Sequence, residues 1–158
     1  MSLCLTTYLK DHHAGSAAGT DLFERVAENH SDPEVRTRVA RIAGEIAEDQ
    51  AALQRILDNF DSEPSGLKDL PAKIGEKIAR LKPNKEFTER SPLSDVLEME
   101  MLVIAVHGKS LGWAMLAQLD DPRIDQAEIN RLYDRARAQL DELEALRLSQ
   151  ATKLLQEA

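Results

Sequence analysis

Residues 93–119 constrain this chain more than any other stretch, because they read as one helix with almost no solvent face. At about 100° per residue, Asp95, Glu98 and Lys109 share a narrow polar side. Glu100 and His107 fall opposite them, among Leu93, Leu97, Ile104 and Leu111. A helix that is apolar nearly all round belongs inside a protein. Glu100 and His107 are therefore expected to point into a core, and every other long segment has to supply part of that core.

Three further segments carry apolar seams at alternating spacings of three and four. The first, 3–29, runs through Leu5, Leu9, His12, Ser16, Gly19, Phe23 and Val26. Gly15, Ser16 and Gly19 lower helix propensity, and their presence predicts close approach of a neighbouring helix or a bulky side chain. The break at His30-Ser31-Asp32-Pro33-Glu34 offers Ser31 or Asp32 as a cap and Glu34 for the positive end of the next dipole. The second helix, 33–60, has the seam Val35, Val39, Ile42, Ile46, Asp49, Leu53, Ile56 and Phe60, with Asp49 its sole charge. So short a link makes these two helices antiparallel neighbours. Ser91-Pro92 opens the third helix, 92–119. The fourth, 125–156, starts at a capping box of Asp125 and Glu128 and carries Ile129, Leu132, Ala136, Leu140, Leu143, Arg147, Gln150 and Leu154.

Residues 61–91 are far longer than a helical hairpin needs and read as a crossover along the bundle. Within it, Leu67, Leu70, Ile74, Ile78 and Leu81 mark a short amphipathic helix over 67–81. Its Lys68, Lys73, Lys77, Arg80, Lys82 and Lys85 read most simply as a solvated face, with a docking patch for an acidic partner as the alternative. Trp113 is placed either under this crossover or in a subunit interface, which keeps a homodimer open.

At 158 residues the expectation is one domain, 1–158. Only 4% of residues are aromatic and Ala, Leu, Glu and Arg abound, so composition favours helix over strand. A formal charge of −8, with basic residues interspersed among acids, argues against nucleic acid as a partner. The longest apolar run, Met101 to Val106, cannot span a bilayer, and no charged n-region leads into an apolar segment, so a soluble, cytoplasmic protein is expected. Cys4 is the sole cysteine, which excludes an intramolecular disulfide.

The polar exceptions in the four seams are His12 and Ser16, Asp49, Glu100 and His107, and Arg147, one set per long helix. Counted from the turns, His12 lies level with Asp49 and Glu100 lies within a turn of Arg147. A buried charge has to be paired, hydrogen-bonded or neutralised, so the first reading is a buried polar layer that fixes helix register. The sharper reading is a divalent metal site of His12, Asp49, Glu100 and His107, because two imidazoles and two carboxylates suit zinc, iron or manganese. Arg147 would compete for those carboxylates. There is no phosphate loop, HExxH motif, cysteine pair or nucleophile elbow, and His12-His13 with Ser16 and Asp49 is a poor triad.

Four long helices in two hairpins joined by a long crossover resemble the ferritin-like superfamily. Three stretches look like a group of uncharacterised bacterial proteins within it: Asp11-His12-His13-Ala14-Gly15-Ser16, then Leu97-Glu98-Met99-Glu100 continuing to Gly108-Lys109-Ser110-Leu111-Gly112-Trp113, then Glu144-Ala145-Leu146-Arg147-Leu148. The resemblance implies the fold and transfers no activity, since the Glu-x-x-His motifs of di-iron members are absent from the chain. The expectation is thus an all-α, ferritin-like four-helix bundle with a non-enzymatic binding or assembly role and no cofactor. The alternative is a divergent metal-binding protein or metalloenzyme. The sequence names no small-molecule ligand.

Overall fold

The computed structural model describes residues 3–60 and 90–156, and those residues are helical throughout apart from short connections. Helix α1 spans Leu3–Asn29, α2 Pro33–Phe60, α3 Pro92–Leu116 and α4 Gln126–Ser149, and a 3-10 turn, Ala151–Leu155, follows α4. The predicted bounds of α1 and α2 hold. The third helix ends at Leu116 rather than 119, and the α-helical part of the fourth ends at Ser149 before tightening into the 3-10 turn. The short helix expected over 67–81 and the crossover around it lie outside the described residues.

Capping accounts for the starts. Asp32 Oδ1 accepts from Glu34 N at 2.9 Å, which satisfies an orphan donor at the start of α2. At α3, Ser91 and Ser94 form a reciprocal capping box, with Pro92 in the first turn. Asp125 caps α4 through Ala127 N and Glu128 N. Glu128 does not return the bond expected of a capping box; its carboxylate pairs with Arg55 at 2.9 Å instead. A cation on a neighbouring helix outcompetes a backbone amide there.

Helix α1 packs chiefly on α2 and α3 chiefly on α4, while α1 also touches α3 and α2 touches α4. The apolar core divides into two clusters. One, at the end where α1 meets α2 through His30, holds Phe23, Val26, Val39, Ile42, Met99, Leu102 and Leu143. The other, around Phe60, holds Leu53, Ile56, Trp113, Leu116, Ile129 and Leu132. Every residue of the predicted α2 seam is buried, Asp49 included. Trp113, at 3% exposure, packs in this second cluster; the crossover expected over it lies outside the described residues.

Helix α3 is turned about its axis relative to expectation. Asp95 and Glu98, assigned to the solvent side, are buried at 1% and 8%, whereas Leu93, Leu97, Ile104, Leu111 and Met115 are 40–62% exposed. The cause is a second apolar seam, Val96, Met99, Leu102, Val106 and Trp113, roughly opposite the first on the helical wheel. Both seams have helical spacing. The inner one wins because its polar interruptions, Asp95, Glu98 and Lys109, find charged partners on other helices.

Candidate functional site

The seam exceptions do not converge as one layer. Asp49 is 2% exposed and bonds the Lys109 ammonium and the Arg135 guanidinium. Lys109 also donates to Gln139 Oε1, and Gln139 Nε2 in turn donates to Glu45 at 2.8 Å. Arg135 reaches Glu48 at 2.8 Å. The layer that separates the two apolar clusters is therefore Asp49, Lys109, Arg135, Gln139 and Glu45. Burial pulls the Lys109 pKa below its ordinary value, against the opposing pull of Asp49. For Arg135 burial acts downward too, but its bonds to Glu48 and Asp49 outweigh it and the pKa rises.

His12, expected beside Asp49, packs on α3 instead. A Cβ added at Gly112 would stand 3.0 Å from His12 Nδ1, so the absent side chain at Gly112 is what admits the imidazole. The His12 ring centroid lies 4.6 Å from that of Tyr8. Burial lowers the His12 pKa, with Asp11 opposing. Ser16 donates to the His13 carbonyl at 2.6 Å, a bond within its own helix. Glu100 and Arg147 do pair, at 3.4 Å, but at the surface, with 46% and 27% of their side chains exposed. Arg147 is bound more closely by Glu144, at 2.6 Å and 2.7 Å. His107 is exposed. Neither Glu100 nor His107 points into the core, because α3 presents its other seam inward. Among the described residues no group of three or more His, Cys, Asp or Glu side chains is placed to share a metal ion.

A second ionic cluster, which the sequence reading missed, closes the end of the bundle at the α1–α2 connection. The Asp95 carboxylate accepts from the Ser31 hydroxyl, from Lys153 at 2.6 Å and from Arg90 at 2.6 Å. Arg90 also reaches Glu98 at 2.8 Å, and Arg25 lies 3.1 Å from the same carboxylate. His30, fully buried, accepts from Asp32 N at 3.1 Å through Nδ1, and its Nε2 stands 3.9 Å from Asp95. Burial opposes ionisation of Asp95, yet the bonds from Lys153, Ser31 and Arg90 win and hold its pKa well below the ordinary carboxylate range. Burial lowers the His30 pKa, with Asp95 opposing. This cluster ties the 3-10 turn, the start of α3 and the α1–α2 connection together. Its only sequence signal is the acid pair Asp95 and Glu98 on an otherwise apolar helix.

Two apolar surfaces remain without a partner among the described residues. One is the outward stripe of α3, Leu93, Leu97, Ile104, Leu111 and Met115, each 40–62% exposed. The other is a groove between α1 and α3 of about 650 Å³, walled by Gly15, Gly19 and Leu22 on one side and Met101, Ala105 and Gly108 on the other. A Cβ at Gly15, Gly19 or Gly108 would meet nothing within 4 Å. The small residues of α1 thus open a groove rather than admit the close helix contact expected from them.

Compared with known proteins, the chain matches no family model, no curated protein and no solved structure. Among the described residues, no helix is long and apolar enough to cross a membrane.

Proposed function

We propose that this chain is a ferritin-like four-helix bundle with a non-enzymatic assembly role, pairing with a second copy of itself through the outward stripe of α3. The ferritin-like reading rests on where the helix ends lie. Phe60, at the end of α2, stacks under Arg123 at 4.0 Å, whereas Ser31 and Lys153 meet Asp95 near the start of α3. The chain therefore leaves α2 at one end of the bundle and enters α3 at the other.

The observation that carries the assembly reading is that α3 is apolar on two sides and the other described helices cover only one. Leu93, Leu97, Glu100, Ile104, His107 and Leu111 follow one another at spacings of four, three, four, three and four, the pattern of a helix-pairing seam. The stripe is also self-complementary. In an antiparallel pairing about a twofold near Ile104, Glu100 of each copy comes alongside His107 of the other. Solvent-facing apolar residues in such a row mark an interaction surface. From Leu93 to Met115 the stripe runs about 33 Å at 1.5 Å per residue. One helix face of that length is small beside the roughly 800 Å² per partner of a stable complex, so the pairing dissociates on dilution.

Sedimentation velocity over a dilution series tests this. The wild type is expected to shift from dimer to monomer. Leu97→Glu with Leu111→Glu, both at exposed positions, is expected to remain monomeric with an unchanged far-ultraviolet spectrum. A wild type that is monomeric at every concentration, or a charged variant that associates equally well, contradicts the proposal.

A further inference from the structure

The α1–α3 groove is a separate surface from the outward stripe; of the stripe residues only Ile104 also lines it. At about 650 Å³ it falls within the roughly 300–1,000 Å³ of small-molecule sites, which are mostly apolar with a few placed polar groups. We propose that it binds a long-chain aliphatic alcohol, with the hydroxyl beside Trp113 and His12 and the alkyl chain laid along the glycine-walled part of the groove. The site is independent of self-pairing through the stripe.

Two polar side chains in the lining lack hydrogen-bond partners among the described residues, and together they suit a hydroxyl. Trp113 is 3% exposed, and its Nε1 is buried with no acceptor. An indole N–H only donates, and a buried donor without an acceptor destabilises a fold. Nε1 is closed to bulk water, so the missing acceptor arrives from the groove, whose lining Trp113 helps to form. His12 lies against the preceding residue, Gly112, which has no side chain to keep it away. Its ring contacts Tyr8 and makes no hydrogen bond. Burial holds the imidazole neutral, so it offers one donor and one acceptor nitrogen. A hydroxyl accepts from Trp113 through its oxygen and donates to the acceptor nitrogen of His12. A hydrocarbon fills neither role.

Charge disfavours an ionised head group. Lys109 is held by Asp49 and Gln139, and Arg25 lies 3.1 Å from Glu98, so both cations of the described lining are already paired. A carboxylate there is a desolvated charge without a counterion, with Asp11 and Asp21 exposed in the same lining. An ammonium gives Trp113 no acceptor. Length follows from the helices. From His12 to Leu22 α1 rises about 15 Å, and from Trp113 back to Met101 α3 rises about 18 Å, at 1.5 Å per residue. Gly15, Ala18 and Gly19 on one wall and Met101, Ala105 and Gly108 on the other present no charged group along that run. An extended dodecyl chain matches it.

Trp113 is the single tryptophan of the chain, so one indole N–H signal reports on the site. Titration of the isotope-labelled full-length chain with 1-dodecanol, below the alcohol's solubility limit, is expected to move that signal downfield and to saturate. The methyl signals of Leu22, Met101 and Ala105 are expected to shift with it, and those of Ile129 and Leu143 to stay in place. Dodecanoate and dodecylamine, below their micellar concentrations, are expected to bind at least about tenfold more weakly. The methyl ether of dodecanol, which accepts but cannot donate, and 1-dodecanol itself on Trp113→Phe are each expected to lose about fivefold, read from the groove methyls. Gly19→Leu with Gly108→Leu fills open space and favours helix, and is expected to abolish uptake with an unchanged far-ultraviolet spectrum. An absence of saturable shifts in the wild type overturns the proposal. So do groove methyls that shift while the indole signal stays in place, an ether or a carboxylate that binds as tightly as the alcohol, or undiminished uptake by the filled variant. None of these substitutions touches a stripe residue, so failure of the assembly proposal leaves this one intact and the reverse.

Discussion

Removal of the Asp49 carboxylate probes the middle of the bundle most directly. Asp49 is 2% exposed and bonds Lys109 and Arg135 together. In Asp49→Ala, Arg135 keeps Glu48, but Lys109, whose side chain is 16% exposed, is left with the neutral Gln139 as its bonded partner. Breaking a buried pair from one side costs about 3–5 kcal/mol. The residual exposure of Lys109 puts this case near the low end, at about 3 kcal/mol. For a chain of this length that lowers the melting temperature by roughly 6–12 °C. Asp49→Leu combined with Lys109→Met removes both charges, while Gln139 retains its bond to Glu45. That double variant should lie within about 1 kcal/mol of wild type, since a buried pair replaced by apolar groups of similar volume is near neutral. Urea unfolding followed by circular dichroism at pH 7, with Asp49→Leu alone and Lys109→Met alone completing the cycle, measures the coupling. An Asp49→Ala protein within about 0.5 kcal/mol of wild type, or a cycle without coupling, refutes the described layer.

Leu102, with no exposed surface, should cost about 3 kcal/mol on substitution by Ala, a loss checked by the same urea titration. Gly112→Ala places a methyl group against the His12 ring and should destabilise by about 1 kcal/mol; with His12→Ala as background the helix preference for Ala should turn the change neutral or stabilising. The pH dependence should fall in two stages. His30 is held neutral by burial, so the unfolded chain takes up a proton first and stability declines as pH drops through the ordinary value of 6.5. Asp95 ionises more readily folded than unfolded, so its contribution is present above about 4 and is lost as pH falls further. Unfolding titrations between pH 7.5 and 3 check both stages; Lys153→Ala should shrink the lower one, and a flat profile contradicts the end cluster.

What the sequence disclosed depended on how many apolar seams each helix carries. Helix α2 has one, and all eight of its predicted seam residues are buried in place, Asp49 with them. The bounds of α1 and α2 followed from the Asp32-Pro33 break for the same reason. Helix α3 has two seams, and periodicity alone does not rank them. The choice is made by Asp95, Glu98 and Lys109, whose partners Lys153, Arg90 and Asp49 are distant in sequence. Choosing the wrong seam placed Glu100 and His107 inside the core. The Glu100–Arg147 pair was legible from register, since both sit at matching heights on adjacent helices, and it survives at the surface. Arg135 and Gln139 were not legible, because they precede the seam residues Ala136 and Leu140 and lie to one side of the seam that periodicity picks out. The glycines of α1 signalled missing volume correctly but not whether a neighbour fills it.

The side of α3 that faces inward decides where the polar layer and the outward stripe lie, and thiol labelling reads that side directly. With Cys4→Ser as background, Ser110→Cys replaces a residue that is 3% exposed and His107→Cys one that is exposed three positions earlier. In dilute native protein the thiol at position 107 should react with a maleimide at the rate of an unstructured peptide, and the thiol at position 110 should react only after urea is added. A protected position 107 together with a freely reactive position 110 would mean that α3 is turned the other way, and the polar layer, the outward stripe and the assembly proposal would fall together.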